Sequence, residues 1–284
     1  MTVSVATPED LDWIVAVLTQ RREPLVECAP VFWQPAPDAE VKHRAFIAYL
    51  LTEDGAKAYR TDDSVLIAAP RGDGWLIDDA YIQGELWASG DGHDLWNAFD
   101  ADCRGAEVRL VCPTYEQARA EFAQAVGLAL AESWWLMELP NSGGGEAAAQ
   151  VTLPGADAIT VGAPPVYAPP GPILLLRNVT NTDLALPAAI SKAPEFGCAA
   201  IVVNETAAAD GLARSLAAAG FRQHCDFYTG IVYSIWRARS GLGVNARTSP
   251  DPVTSRGYPG LPIPERRPRQ RGWNADRRTL CEKA

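Results

Sequence analysis

The chain has 284 residues, of which 48% are apolar and 21% charged, with a formal net charge of −10. That length predicts two domains or one large one, with ample apolar material for a core. It excludes a membrane helix, because no apolar run approaches the ~18 residues one needs, and the scattered cysteines, with no CxxC pair, argue against a disulfide framework or a zinc site and for reduced thiols in a cytoplasmic protein.

The opening VSVATPEDLDWIVAVLTQRREP reads as a short strand and then a helix. Thr7 suits the cap, Pro8 the first helical position, and Leu11, Ile14, Val15 and Leu18 recur at helical spacing. No basic and then apolar leader precedes it, so a secretory signal is not expected. A second helix is predicted in AEVKHRAFIAYLLTEDG, followed by DSVLIAAP, the turn RGDG and WLIDDAYI as an antiparallel hairpin. The glycine loop SGDGHD (89–94) leads into a helix, DLWNAFDADC, with Asp94 readable as its cap. EVRLVCP is a strand, TYEQARAEFAQAVGL a helix ending in glycine, and ALAESWWLMELP a closing strand, whose Trp134 and Trp135 point to opposite faces.

NSGGGEAAAQ (141–150) reads as a linker or flexible loop, and GAPPVYAPPGP (162–172) is too rich in proline for a helix or a central strand. Beyond them GPILLLRNV, LALPAAISKAPEFG, CAAIVVN, ETAAADGLARSLAAAGF and FRQHCDFYTGIVYSIWRA alternate strand and helix. In both segments an apolar strand meets an alanine-rich helix that ends in glycine plus a hydrophobe, and a strand follows; this is an internal repeat of one α/β unit. The expected organisation is a first domain over 1–140, a linker over 141–158, a shorter second domain over 159–239 and a disordered Pro/Arg-rich arm over 240–284. From Ser240 onward the net charge is +5, against −15 for the rest, which suits either a solvated end or an anionic partner.

The order strand, helix, hairpin, glycine loop, helix, strand, helix, strand resembles the GNAT acyltransferase superfamily over residues 1–140, and less completely over 159–236. Gly127-Leu128 and Gly220-Phe221 match the places where family helices end before the last strand. The resemblance implies an α/β (α+β) fold of two tandem, degenerate GNAT-like mixed-sheet halves flanked by helices. It implies an N-acyltransferase that forms an amide on a small-molecule amine, with acyl-CoA (acetyl-CoA) as donor and no metal or membrane. In the family acyl-CoA threads a gap where two strands splay apart, and its pyrophosphate meets a glycine-rich loop at a helix N-terminus, where free amides and the helix dipole favour an anion. Here Ser89, Gly90, Asp91 and Gly92 stand in that loop, with acidic residues where phosphate charge would gather. The second half offers only NVTNTDL, without glycine, so at most one half is expected to bind a donor in the family's manner.

The tyrosine that often protonates the leaving group in the family falls on Ala123 and Leu216, leaving Tyr115 and Tyr228 as nearby substitutes. For the base, Asp78 and Asp79 lie within an apolar strand whose alternation sends one of them to the core or cleft; His93 beside the loop is a second candidate. Phe32, Trp33 and His43 fall where the resemblance places an acceptor pocket, each with an ordinary packing alternative. His224 beside Cys225 has no third partner for nucleophilic chemistry. Two further readings stay open. One is transfer from aminoacyl-tRNA, with Arg266, Arg267, Arg269, Arg271, Trp273, Arg277 and Arg278 of the arm contacting tRNA; the other is a non-catalytic binding protein.

Overall fold

A computed structural model describes residues 2–52, 55–140, 142–206 and 211–232. In the first half, β1 (Ser4–Val5), α1 (Leu11–Cys28) and α2 (Ala39–Thr52) precede β2 (Lys57–Arg60), β3 (Val65–Arg71) and β4 (Gly74–Tyr81). Then come α3 (Asp91–Cys103), β5 (Glu107–Pro113), α4 (Gln117–Ala125) and β6 (Ala129–Glu138). The second half contains β7 (Gln150–Leu153), β8 (Ala156–Val161), β9 (Ile173–Arg177), α5 (Thr182–Glu195), β10 (Ala200–Thr206), α6 (Leu212–Ala218) and β11 (Arg222–Ile231). Among the described residues no helix is long and apolar enough to cross a membrane.

The start of α1 is fixed as its sequence dictates: the Thr7 amide and hydroxyl both donate to the Asp10 carboxylate. Ile14, Val15 and Leu18 of α1 and Ile47 and Leu50 of α2 then cover Ala58, Val65 and Ile67 of the sheet. The β3–β4 hairpin turns through Gly72, whose φ of 60° suits glycine.

All strands join one mixed sheet of order β1-β2-β3-β4-β5-β11-β6-β10-β9-β8-β7. The repeat is visible in its centre. β4 and β5 run parallel and are followed by antiparallel β11, while β9 and β10 run parallel and are followed by antiparallel β6. The halves have therefore exchanged their last strands. β6 follows α4 in the chain but pairs with β10 from Ala200↔Glu138 to Thr206↔Glu132. β11 fills the place beside β5, from Cys225↔Pro113 to Ile231↔Glu107. The cores are exchanged with them. Tyr228 of β11 packs with Leu95, Phe99 and Phe122 of the first half, and Trp135 of β6 packs with Leu174, Ile201 and Leu216 of the second. Trp135 also donates its indole N–H to Glu205, 2.8 Å away.

The stretch expected as linker differs from that expectation. β7 and the first half of β8 lie within 141–158, in a hairpin that turns at Gly155 (φ 73°). The glycines before it serve close packing: a Cβ on Gly145 would strike the carbonyl of Phe196, and one on Gly171 the carbonyl of Gly197. The proline-rich 162–172 holds no helix or strand, as expected, but docks on the α1–α2 connection through a bridge between Pro35 and Tyr167. The arm 240–284 lies outside the described residues.

Because β5 depends on β11, residues 1–148 expressed alone will show no cooperative urea transition. Mixing them with residues 149–284 will restore one, followed by circular dichroism. A cooperative transition in the first fragment alone would show that β5 does not need the exchanged strand.

Candidate active site

The parallel β4–β5 ladder runs from Gly74↔Glu107 to Ile77↔Leu110 and stops. On its other side β4 carries a bulge: Ala68 stands opposite Ile77 and Leu66 opposite Ala80, so Ile67 alone faces both Asp78 and Asp79. The sequence-based expectation of simple alternation fails here, because a bulge re-aims the two side chains on either side of it. Asp78 is exposed, with one carboxylate oxygen 4.0 Å from Arg21. Asp79 is partly buried. Burial pushes its carboxyl up to about 6, the Asp78 charge adds to this, and Arg21, Arg22 and Arg119 oppose it.

Across the gap lies an ion cluster that the sequence did not disclose. Glu116, just before α4, accepts from Arg21 Nε at 3.1 Å and from Arg119 Nη1 at 3.2 Å. Burial opposes its charge, but the two guanidinium groups outweigh that and hold its carboxyl below the ordinary value. Arg119 has 0% exposure. Its Nη2 reaches from α4 to the β4 carbonyls of Ile77 (3.4 Å) and Asp78 (3.1 Å), and its guanidinium lies 5.3 Å from the Trp87 ring centre. Arg21 donates to the Asp78 carbonyl as well, at 2.8 Å. The Tyr115 hydroxyl is buried beside this cluster with no hydrogen-bond partner among the described residues; burial, then Glu116, pushes its proton affinity up.

The glycine loop is turned inward. Helix α3 begins at Asp91, after Gly90 at φ 77°, so Asp94 lies inside the first turn and donates its amide to the Gly90 carbonyl. The Asp91 carboxylate is fully buried and accepts the Thr61 hydroxyl at 2.7 Å. Gly92 is pressed against Trp87, where a Cβ would come within 2.5 Å of the Trp87 carbonyl. Ser89 donates its hydroxyl to the Glu85 carbonyl. His93 packs edge-on to Phe122, 5.2 Å between ring centres, and Trp87 packs on the same ring. In the second half, the amides of Thr180 and Asn181 in the corresponding loop both donate to the Gly155 carbonyl.

These residues do not fit acyl-CoA held in the manner the resemblance implies. Where β4 parts from β5 the β4 carbonyls are taken by Arg119 and Arg21, the loop beside it holds a buried carboxylate where a phosphate would add like charge, and the second loop's amides are taken.

A groove of about 620 Å³ opens between α1, α2 and the 166–167 segment; Thr19, Arg22, Glu23, Glu40, Val166 and Tyr167 are among its walls. Two of these wall residues, Arg22 and Tyr167, are within electrostatic reach of Asp79, which is not itself a wall of the groove. Of the expected acceptor residues, His43 stands behind the groove: it is buried, its Nδ1 lies 2.9 Å from Arg22, and burial and that cation push it down to about 4, so it is a neutral acceptor. Phe32 is core, with its amide and that of Val31 held by Glu138. Trp33 packs on Tyr167 at 4.6 Å and donates to His224 Nε2 at 2.6 Å, so these residues brace the wall that carries Tyr167. Tyr228 packs in the first-half core, its hydroxyl accepting from Gln124 at 3.2 Å, away from the bulge. Arg266, Arg267, Arg269, Arg271, Trp273, Arg277 and Arg278 lie outside the described residues. Sequence reasoning missed Arg21, Arg22, Glu116, Arg119 and Tyr167; only the Glu116/Arg119 spacing of three could have hinted at a pair.

No family model and no curated protein matches the chain. Solved structures do. One is a Thermoplasma acidophilum protein named for a proposed acetyltransferase activity (TM-score 0.53, 8% identity, 81% of this chain and 100% of that one). Others are a GCN5-related N-acetyltransferase from Sphaerobacter thermophilus (0.47, 9%, 82% and 96%) and a tandem GNAT protein from the clavulanic acid biosynthesis pathway (0.43, 12%, 81% and 98%). The chain has the GNAT fold. Within that class it is a tandem form whose two halves share one sheet by exchanging strands.

The raised Asp79 carboxyl has a signature in stability. A folded chain that holds this proton more tightly than the ordinary value of 3.8 is favoured below that value and loses the contribution as pH rises through about 6. Asp79→Asn removes the loss. Relative to the native chain it will gain about 1–2 kcal/mol between about pH 4.5 and about pH 8, a figure discounted for partial exposure. Urea titrations at the two pH values measure it; parallel pH dependence of the two proteins would refute the raised carboxyl.

Proposed function

We propose that the first half carries out acyl transfer to an amine, with Asp79 as the general base. The observation that carries this reading is the carboxyl of Asp79, raised to about 6 on a β-bulge at the splay of β4 and β5, within electrostatic reach of Arg22 on the wall of a groove. A base working near neutral pH needs such a value. In this reading the amine enters by the groove and gives a proton to Asp79 as its nitrogen attacks the acyl carbon. The new N–C bond forms as the acyl–oxygen or acyl–sulfur bond breaks, and the Tyr115 hydroxyl, which has no competing partner, protonates the leaving group. The GNAT fold and the acetyltransferase names of its structural neighbours support the reaction class.

The engaged β4 carbonyls and the acidic loop favour a second reading of the donor. An activated ester that does not thread between β4 and β5, such as aminoacyl-tRNA, suits this site better than acetyl-CoA, and its contacts would fall to the basic residues of 240–284.

The test is a panel in which acetyl-CoA and aminoacyl-tRNA are each offered with amines, and products are read by mass spectrometry. Transfer is expected, with kcat/KM rising through about pH 6 and falling by about 10²–10⁴-fold in Asp79→Asn. Undiminished transfer by Asp79→Asn removes the base. Absence of transfer from both donors leaves the non-catalytic binding protein.

A further inference from the structure

The charges around the groove are unevenly matched. Arg22 is partly buried and points its guanidinium to the Thr19 hydroxyl (3.0 Å) and the neutral His43 ring (2.9 Å). Among the described residues no carboxylate lies within 4 Å of it, whereas Arg21 beside it has Glu116 and Asp78. Burial and the Arg21 charge make its cationic form less favourable than usual, with Tyr167 and Asp79 opposing only in part. A partly desolvated guanidinium with no carboxylate is a site that gains from an anion, above all a planar carboxylate it can grip with two donors. Phosphate-sized or polyanionic ligands are disfavoured by Glu23 and Glu40 on the same walls, both exposed and both negative. Those acids suit an ammonium. Val26 and Val166 give the groove apolar wall between the charges.

We infer that this groove takes a ligand bearing both an amine and a carboxylate on an apolar frame, of amino-acid to dipeptide size, with the carboxylate on Arg22 and Tyr167 and the amine towards Glu23 and Glu40. The inference rests on the acyl-transfer reading only in naming that ligand as the acceptor; the recognition itself follows from the groove. A plain amine leaves Arg22 without an anion, and a plain carboxylate brings no cation to Glu23 and Glu40, while Arg44, the groove's other cation, is engaged by Asp12. The discrimination comes from charge: a partly buried guanidinium held only by neutral groups gains a charge-assisted partner from the carboxylate and none from a plain amine.

Binding alone tests it, independently of any transfer. Isothermal titration of the full chain would use leucine, leucyl-leucine, 3-methylbutylamine (leucine without its carboxylate) and 4-methylpentanoate (leucine without its amine). Leucine or leucyl-leucine is expected to saturate, and which of them binds tighter sets the ligand's size. Each truncated analogue is expected to bind at least about tenfold more weakly, or roughly 1.4 kcal/mol. Arg22→Gln will bring the amino acid down to the level of the amine while leaving the amine's own affinity unchanged, and Arg22→Lys will recover part of the loss. Equal affinity for leucine and 3-methylbutylamine overturns the inference, as does equal loss for both in Arg22→Gln, or no heat from either amphoteric ligand at about 10 mM, a weaker interaction than metabolite sites show. If binding follows the pattern and no acyl transfer is found, the inference stands and the acyl-transfer reading falls.

Discussion

The antiparallel pair of β6 and β11 holds the molecule together. It lies at the centre of the exchange, between β5 of the first half and β10 of the second, and each strand belongs by sequence to one half and by packing to the other. The pair runs from Arg222↔Leu136 to Thr229↔Ala129 with two irregularities, and the large side chains it carries, Trp135 and Tyr228, are buried in the core of the opposite half. Neither core is complete without the other half's chain, so the two halves share one stability.

That junction constrains the site. β5 is held by β11 on one edge and parts from β4 on the other after Leu110. A sheet that splays leaves carbonyls to be satisfied, and here Arg119 and Arg21 supply the donors, with Glu116 neutralising them. A buried network of this kind is weak evidence for stability, since desolvation offsets much of the attraction, but it specifies a unique arrangement and makes removal of any one member costly. Its arginines sit where β4 parts from β5, while the groove opens along α1 and α2. The same cations act on both carboxyls of the cluster, yet in different balance. Glu116, between two guanidinium groups, stays ionised; Asp79, with Asp78 beside it and the arginines engaged elsewhere, keeps a proton to higher pH. Two carboxylates in one neighbourhood thus acquire different roles from their surroundings.

Much of the fold was legible in residue order. The α1 cap, the β3–β4 hairpin and the two strand–helix–glycine–strand units all follow from periodicity and turn chemistry, which are local. The strand exchange is not local: β6 and β11 have similar patterns and similar lengths, and nothing in either names its neighbour. The hairpin β7–β8 was hidden by its glycine-rich approach, because glycine signals both a flexible chain and a close crossing of two backbones, and only the crossing partners at Pro170, Gly171, Phe196 and Gly197 tell which. In the site, Asp78 and Asp79 stood out as carboxylates within an apolar strand, but the bulge that aims them depends on the register with β3. Arg119 was invisible because an arginine in an alanine-rich helix reads as a solvated charge; its burial follows from carbonyls on a strand some forty residues earlier. Tyr167 was passed over as part of a proline-rich stretch.

The exchange of strands also sets the order in which the chain can be assembled during synthesis. β5 is made more than a hundred residues before the strand that completes it, and β6 emerges before its partner β10 and well before β11. While the second half is still being translated, the first half presents two unsatisfied sheet edges, bordered by apolar side chains that the missing strands will cover. Domains usually fold in turn as they leave the ribosome; this one has to hold its first half open until residues 222–231 arrive, a topology of distant pairings that folds slowly and exposes strand edges to other chains meanwhile. The acidic body, at −15 outside the arm, keeps nascent copies apart during that interval by mutual repulsion.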